Sequence, residues 1–243
     1  MSVNSSIRIA LCLSGQPRSY KKAHEYIKRN LLDQYNVDVF AHAWRPHIGR
    51  MIVYDDISLL YQPLQFIMDE ALPETINSDL FVPNASHPAN FCTSMFYSIH
   101  RANDFRVREE AKKDKKYDFV IRCRYDIALN KVIDFSSLEK GKIYVSKDCE
   151  GPNPLLNDQF AIGDSEVMNV YSTTYMFLRW HAQRGVSLCG HEMLEAQLKH
   201  FGIPFERIDI NHPFVDGKFN RGRHSIIRDD MEQWVDTKIW GYK

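Results

Sequence analysis

Three ionisable side chains stand at alternate positions in one short stretch, Tyr117–Asn130 (YDFVIRCRYDIALN): Arg122, Arg124 and Asp126. Phe119, Val120 and Ile121 precede them as a β-prone apolar run. The stretch therefore reads as a strand, and alternation puts the three charged groups on one face. Two cations and a carboxylate at the end of a central strand are costly to bury without a purpose. In open α/β sheets ligands bind outside the carboxyl ends of the strands, so this strand end is read as the site. An internal Arg–Asp pair is the competing reading. Two arginines exceed what one aspartate needs, which puts function ahead of it.

Several elements must position these residues. Ile7–Leu13 reads as a first strand covered on both faces. Ser14-Gly15-Gln16-Pro17-Arg18-Ser19 follows: Gly15 allows close approach to the backbone, and Pro17 suits a helix start. Tyr20–Leu32 has helical spacing. Such a turn, with Arg18 near the helix N-terminus, can hold an anion; an ordinary βα turn with a surface arginine fits the same residues. It is neither a Walker loop nor a GxGxxG. Val37–Trp44 is a second strand with Asp38, His42 and Trp44 on one face. His42 reads as a core or edge histidine before a ligand contact. Residues 45–90, broken by Pro63, Pro73, Pro83 and Pro88, read as an irregular connection.

Asn90 is expected to cap a helix running to about Lys113, with Phe91, Met95, Ala102 and Phe105 as its buried stripe and Ile99 beside it. The basic run Lys112–Lys116 suits a helix C-terminus. It is short and lacks interleaved aromatics, so it is no nucleic-acid patch. Lys142–Val145 is a short strand, and Asn157-Asp158-Gln159 leads into another, Phe160–Ile162. That polar triplet suits hydroxyl groups of a sugar, or else an Asx-turn made by Asp158. Asp164 or Ser165 caps a helix to about Ala182, with Val167, Tyr171, Tyr175 and Leu178 at helical spacing. Gly190-His191-Glu192 opens a helix over 191–201 that Gly202 ends. Glu192 there is either functional or a complement to the helix dipole. After a last strand, Phe205–Ile210, the loop Gly217–His224 carries Arg221, Arg223 and His224. These either close over a phosphate or stay solvated.

The chain has 243 residues and reads as one α/β domain, 44% apolar, with Lys+Arg and Asp+Glu balanced at 31 each. That balance gives no global field for nucleic acid or an anionic membrane, so any anion site is local. No run approaches the roughly 20 apolar residues of a membrane span. The N-terminal MSVNSSIRIALCLSG reads as a buried strand rather than a signal peptide. Five scattered cysteines without a CxxC pair point to reduced thiols and a cytoplasmic location. The sequon Asn84-Ala85-Ser86 is then unused.

Taken in order, LCLSGQPRSY, VDVFAHAW, SMFYSIHRA, YDFVIRCRYDI, NDQFAIG and HEMLEAQL resemble the GT-A-type glycosyltransferases, particularly viral and bacterial members that build capsules or glycans. The resemblance spans about residues 8 to 200. It implies a GT-A-like (nucleotide-diphospho-sugar transferase) single domain over 1–243, with a mixed, mainly parallel central sheet flanked by helices. Its nucleotide-binding half would be about 1–130 and its acceptor-binding half about 131–243.

The same resemblance implies a nucleotide-sugar donor and a glycan or hydroxyl acceptor. In such enzymes a DxD motif presents carboxylates to a divalent metal, Mn²⁺ or Mg²⁺, bridging the diphosphate. Here the strand end reads Arg124-Tyr125-Asp126, so only the last acidic position is filled. Asp126 would then hold the metal through waters and diphosphate oxygens. Alternatively Arg122 or Arg124 neutralises the diphosphate while Asp126 holds the donor sugar. Arg18 joins the leaving-group candidates, and Ser14, Gly15 and Asp38 would lie near the nucleoside. Asp158 and Gln159 would hold a sugar, Asp158 or Glu192 would be the base, and His191, His212 or His224 would supply a later metal ligand. Rival readings are a non-catalytic nucleotide- or glycan-binding domain on the same fold, another nucleotide-dependent transferase such as a sulfotransferase or nucleotidyltransferase, and an assembly component without a ligand.

Overall fold

The first half of the chain runs β1 (Asn4–Gly15), α1 (Tyr20–Ile27) with a π-helical extension Lys28–Leu32, β2 (Tyr35–Trp44), α2 (Arg50–Tyr61), β3 (Gln65–Asp69) and α3 (Ala89–Lys113). The second half runs β4 (Phe119–Cys123), a 3₁₀ turn Phe135–Ser137, β5 (Ile143–Ser146), β6 (Phe160–Gly163), α4 (Ser165–Ser172), α5 (Thr174–Ala182), α6 (Gly190–His200) and β7 (Phe205–Ile208). A short antiparallel pair follows, β8 (Phe214–Val215) and β9 (Lys218–Phe219). The computed structural model describes residues 4–46, 50–70, 89–147 and 156–210 and these last two strands.

Seven strands form one mixed, mostly parallel sheet in the order β3-β2-β1-β4-β6-β5-β7. β1 is parallel to β2 and β4, β2 to β3, and β5 to β7, while β6 runs antiparallel to β4 and β5. The chain steps outward from β1 to β3, and α3 then returns it to β4 on the other flank of β1. The strand order reverses there, which opens a crevice at the carboxyl ends of β1 and β4.

Side-chain alternation divides the core into two layers. Ile9, Leu11 and Leu13 of β1 face α1 and α2 with Ile27, Leu31, Val53 and Ile57. Ala10 and Cys12 face the other way, toward Phe96, Ile99 and Ala102 of α3 and toward residues of α4, α5 and α6. β4 obeys the same parity. Phe119, Ile121, Cys123, Tyr125, Ile127 and Leu129 all join the α1/α2 side, although the strand itself ends at Cys123 rather than at Asp126 as expected.

The clearest departure from expectation is the segment 45–90, which holds α2 and β3 rather than only an irregular connection. Val53, Ile57 and Tyr61 are the buried positions of α2, at spacing of four. Met51, Ile52 and Leu59 are largely exposed and blur that stripe in the sequence. The single helix expected to Ala182 is interrupted at Thr173. The hydroxyls of Thr173 and Thr174 donate to the carbonyls of Val170 and Tyr171, a local bond that competes with regular helix. Asp164 is the cap of α4, accepting from the N–H groups of Glu166 and Val167, and Gly202 sits beyond α6 with φ of 65°. The sequon Asn84–Ser86, Pro73, Pro83, Pro88, Cys149, His212, Arg221, Arg223 and His224 lie outside the described residues.

A buried polar clasp fixes the entry to β4. Arg106 of α3 is fully enclosed. Its guanidinium donates to Asn103 Oδ1 (2.6 and 3.2 Å), to Glu110 Oε2 (2.7 Å), to Ser165 Oγ (2.5 Å) and to Asn169 Oδ1. Glu110 Oε1 accepts the Tyr117 N–H at 2.8 Å. The clasp ties α3 to α4 and sets where the chain turns toward the site. Removing one partner of such a pair strands the other. Arg106→Met is therefore expected to lower the unfolding free energy by about 3–5 kcal/mol, and Arg106→Met with Glu110→Met to recover part of it. Urea denaturation of both variants checks this.

Candidate functional site

At the end of β1, Gly15 adopts a φ of 113°, open to glycine but strained for other residues. Its N–H donates to Ser98 Oγ of α3 at 2.7 Å. Ser98 in turn meets His42 Nδ1 at 2.7 Å, and His42 Nε2 meets Asp69 Oδ2 at 3.2 Å. Burial pushes His42 down to about 4 against the opposing pull of Asp69. The neutral ring assigned by these partners donates from Nε2 to Asp69 and accepts the Ser98 hydroxyl at Nδ1. The trio has the members of a nucleophilic triad. Ser98, however, is fully enclosed and its oxygen already accepts the Gly15 N–H, so it braces the β1 turn. Around it Trp44 stacks on Tyr97 with centroids 5.5 Å apart. Arg18 folds back on its own turn, its Nε donating to Gln16 Oε1 at 2.7 Å.

One strand over, Arg124 and Asp126 form the internal pair that competed with a functional reading. Arg124 donates from Nε to Asp126 Oδ1 (2.9 Å) and from Nη2 to Oδ2 (2.6 Å). Against desolvation, which lowers it, Asp126 holds the Arg124 guanidinium above its ordinary value. Asp126 is enclosed and Arg124 partly open.

Arg122 is different. It is 2% exposed, on the α3 side of the sheet, and its Nε and Nη1 have no partner among the described residues. Desolvation pushes its guanidinium down from its ordinary value, and Tyr171 and Asp158 offset part of that. An arginine nonetheless stays charged. No described carboxylate reaches ion-pair distance of it. The Tyr171 hydroxyl from α4 and the Ser14 hydroxyl are likewise enclosed and without a partner among the described residues.

Asn157 rather than Asp158 makes the expected Asx-turn, its Oδ1 accepting from the N–H groups of Gln159 (2.7 Å) and Phe160 (3.3 Å). That leaves the half-buried Asp158 carboxylate aimed elsewhere, against Gly190 at the start of α6. A Cβ at Gly190 would collide with Asp158 Oδ2 and lie 2.9 Å from Met95 Cε. Gln159 contributes its carbonyl, which accepts the Arg124 N–H at 3.2 Å. His191 Nδ1 donates to the Leu156 carbonyl at 2.5 Å. Glu192 is exposed and accepts the Ser187 hydroxyl, a helix-terminus role.

The structure thus brings Ser14, Gly15, Arg122, Arg124, Asp126, Asp158 and Gln159 to the same end of the sheet. Asp38 does not join them. It pairs with Ala10, four residues before His42 meets Ser14, and so sits roughly 13 Å back along β2. There it accepts the Tyr117 hydroxyl at 2.6 Å. Strand parity was legible, but position along the strand needed the register. Tyr171 and Gly190 were missed as site residues: the first reads in sequence as one more helical core position, and the second as a helix start.

A divalent metal at this strand end does not fit these donors. Both oxygens of Asp126 are engaged by Arg124, and among the described residues no three His, Cys, Asp or Glu side chains converge to hold an ion. The site gathers Arg122, the Arg124–Asp126 pair and Asp158 at the reversal point of a mixed, mostly parallel α/β sheet. Its family model matches residues 4–216, so the chain belongs to the family described as a domain of unknown function, DUF7796. No curated protein matches it. Among the described residues no helix is long and apolar enough to cross a membrane.

Two measurements probe this geometry. Gly190→Ala would normally favour a helix, but the added methyl must displace Asp158, so the variant is expected to lose about 1–3 kcal/mol in urea denaturation. A gain would show that Asp158 is seated elsewhere. His42 binds its proton more weakly folded than unfolded, so the unfolded chain holds more protons between about pH 6.5 and about 4. Stability is then unaffected by His42 above that window and falls as pH drops through it. Unfolding free energies at pH 7 and pH 5 should fall more steeply in the wild type than in His42→Gln.

Proposed function

We propose that the chain transfers a sugar from a nucleotide-diphosphate sugar to a glycan or other hydroxyl acceptor, with Arg122 rather than a metal neutralising the diphosphate. The observation that carries this reading is the enclosed guanidinium of Arg122, whose Nε and Nη1 have no partner among the described residues, beside the carboxyl ends of β4 and β1. Ligands of open α/β sheets bind at this place. The mixed, mainly parallel sheet also agrees with the resemblance to GT-A enzymes.

In the transfer, the acceptor oxygen bonds the anomeric carbon as the bond from that carbon to the diphosphate oxygen breaks. Negative charge develops on the leaving phosphate, and a guanidinium already in place stabilises it without reorganisation. Asp158, half-buried and with both oxygens free of arginine, receives the acceptor's proton if the reaction inverts the anomeric centre. The Gly15 turn lies at the nucleoside side.

A nucleotide-binding domain without turnover is the second reading. The closed Arg124–Asp126 pair favours it, because it withdraws the carboxylate of the strand end from chemistry.

Thermal unfolding in UDP-, GDP-, CMP- and dTDP-sugars, sulfate donors and nucleoside triphosphates, each with Mn²⁺, Mg²⁺ or EDTA, tests both. One nucleotide sugar at ~100 times its Kd should add about 2.7 kcal/mol, undiminished by EDTA and lost in Arg122→Gln. Stabilisation only with metal would overturn the role of Arg122. A response to sulfate donors alone would overturn glycosyl transfer. Binding without release of the nucleoside diphosphate, across a panel of acceptors, would leave the second reading.

A further inference from the structure

We infer that Tyr171 and Ser14 complete Arg122 into a donor-only site for a diphosphate, so that two linked phosphates are held by a guanidinium, a phenol and a hydroxyl with no metal between them. This deepens the glycosyltransferase reading and rests on it.

Buried polar groups are almost always paired, and each one left unpaired needs an explanation. Among the described residues the unpartnered groups include His100 Nδ1, Arg101 Nε and Asn130 Nδ2, and three others fall on the α3 side of the sheet: Arg122 Nε and Nη1, the Tyr171 hydroxyl and Ser14 Oγ. Ser14 and Arg122 share strand parity, Ala10 and Cys12 facing α3 as Val120 does. Tyr171 belongs to α4, which packs on that side, near enough for the Arg122 guanidinium to oppose the effect of burial on its hydroxyl.

The chemistry of these groups defines the ligand. Arginine offers only donors, and a phenol or hydroxyl can donate to an anion. Tyr171 cannot compete as an anion itself, since burial raises its hydroxyl well above the ordinary phenol value. Asp158 helps keep Arg122 charged from beyond ion-pair distance, so the guanidinium's N–H groups are not consumed.

That the ligand carries two phosphates follows from the proposed function, and the sheet register sets how Ser14 and Arg122 stand. Cys12 pairs with Arg122 in register, so Ser14 is one strand over and two residues further along. The two Cα atoms are then roughly 8 Å apart. By contrast Arg106, equally buried, has its N–H groups matched by Asn103, Glu110, Ser165 and Asn169. Arg101 also has a buried Nε without a partner among the described residues, but it is ion-paired to Asp104, whereas Arg122 has no ion pair there.

Calorimetric titration of inorganic pyrophosphate, inorganic phosphate, UDP and GDP, all in EDTA, into wild type, Tyr171→Phe and Arg122→Gln tests the inference. The wild type is expected to bind pyrophosphate or a nucleoside diphosphate and to bind phosphate more weakly. Tyr171→Phe keeps the ring and should weaken diphosphate binding about tenfold or more. Its melting temperature should not fall, because no bonded group is removed from the free protein. Equal binding by wild type and Tyr171→Phe would overturn the inference. So would a melting temperature lowered by about 3 °C or more, or phosphate binding as tight as pyrophosphate. In each of these cases loss of binding in Arg122→Gln would leave the proposed function standing. If the wild type binds none of the four, or Arg122→Gln binds like the wild type, both readings fall. A nucleoside diphosphate bound in preference to pyrophosphate identifies the source of the diphosphate as a nucleotide.

Discussion

The packing of α3 along the inner face of β1 is the contact on which the rest depends. β1 is the central strand, flanked by β2 and β4 and covered on both faces. Toward α3 it presents small side chains, Ala10 and Cys12, against Phe96, Ile99 and Ala102. Small against large lets the long helix lie close at interior density. Because α3 is fixed there, Ser98 reaches the Gly15 N–H at one end and Arg106 reaches α4 at the other. The brace of the β1 turn and the clasp before β4 thus hang from one helix.

Two buried arginines show how differently one residue type can be used. Arg106 sits among carboxylate, amide and hydroxyl acceptors drawn from α3 and α4. Burying it costs desolvation that the network offsets. Arg122 has the same cost and no described acceptor at Nε or Nη1. A protein that satisfies one enclosed guanidinium with such care, and leaves another open at the end of a central strand, stores unspent hydrogen-bonding capacity where a ligand can use it. The low local dielectric that makes the unpaired group costly also strengthens the bond it makes to an anion.

Electrostatics at the strand end are arranged as separate roles. Arg124 and Asp126 neutralise each other in a two-pronged pair, a geometry with high directional specificity. That pair shapes the turn after β4 and removes its charges from competition. Asp158, released from the Asx-turn by Asn157, stands against the first turn of α6, where Gly190 leaves room for it. Arg122 keeps Nε and Nη1 without a partner among the described residues.

Much of this was legible in the chain itself. The strands β1, β2, β4, β5, β6 and β7, the long helix α3, the cap at Asp164 and the terminating Gly202 follow from alternation, helical spacing and end chemistry, which are local properties of neighbouring residues. The shared face expected of Arg122, Arg124 and Asp126 reaches only Arg122, because the strand ends at Cys123. What no local signal carries is partnership. Tertiary structure alone decided that Arg124 closes on Asp126 while Arg122 does not, and that Asn157 rather than Asp158 turns the backbone. It alone placed Asp38 at the wrong end of β2, set by register between strands. It also made Tyr171, an ordinary core position in the helical pattern of α4, a hydroxyl beside an unpaired guanidinium. Sequence spacing fixes which face a side chain takes. Which atoms meet there depends on elements far apart in the chain, and that distance is closed only by the fold.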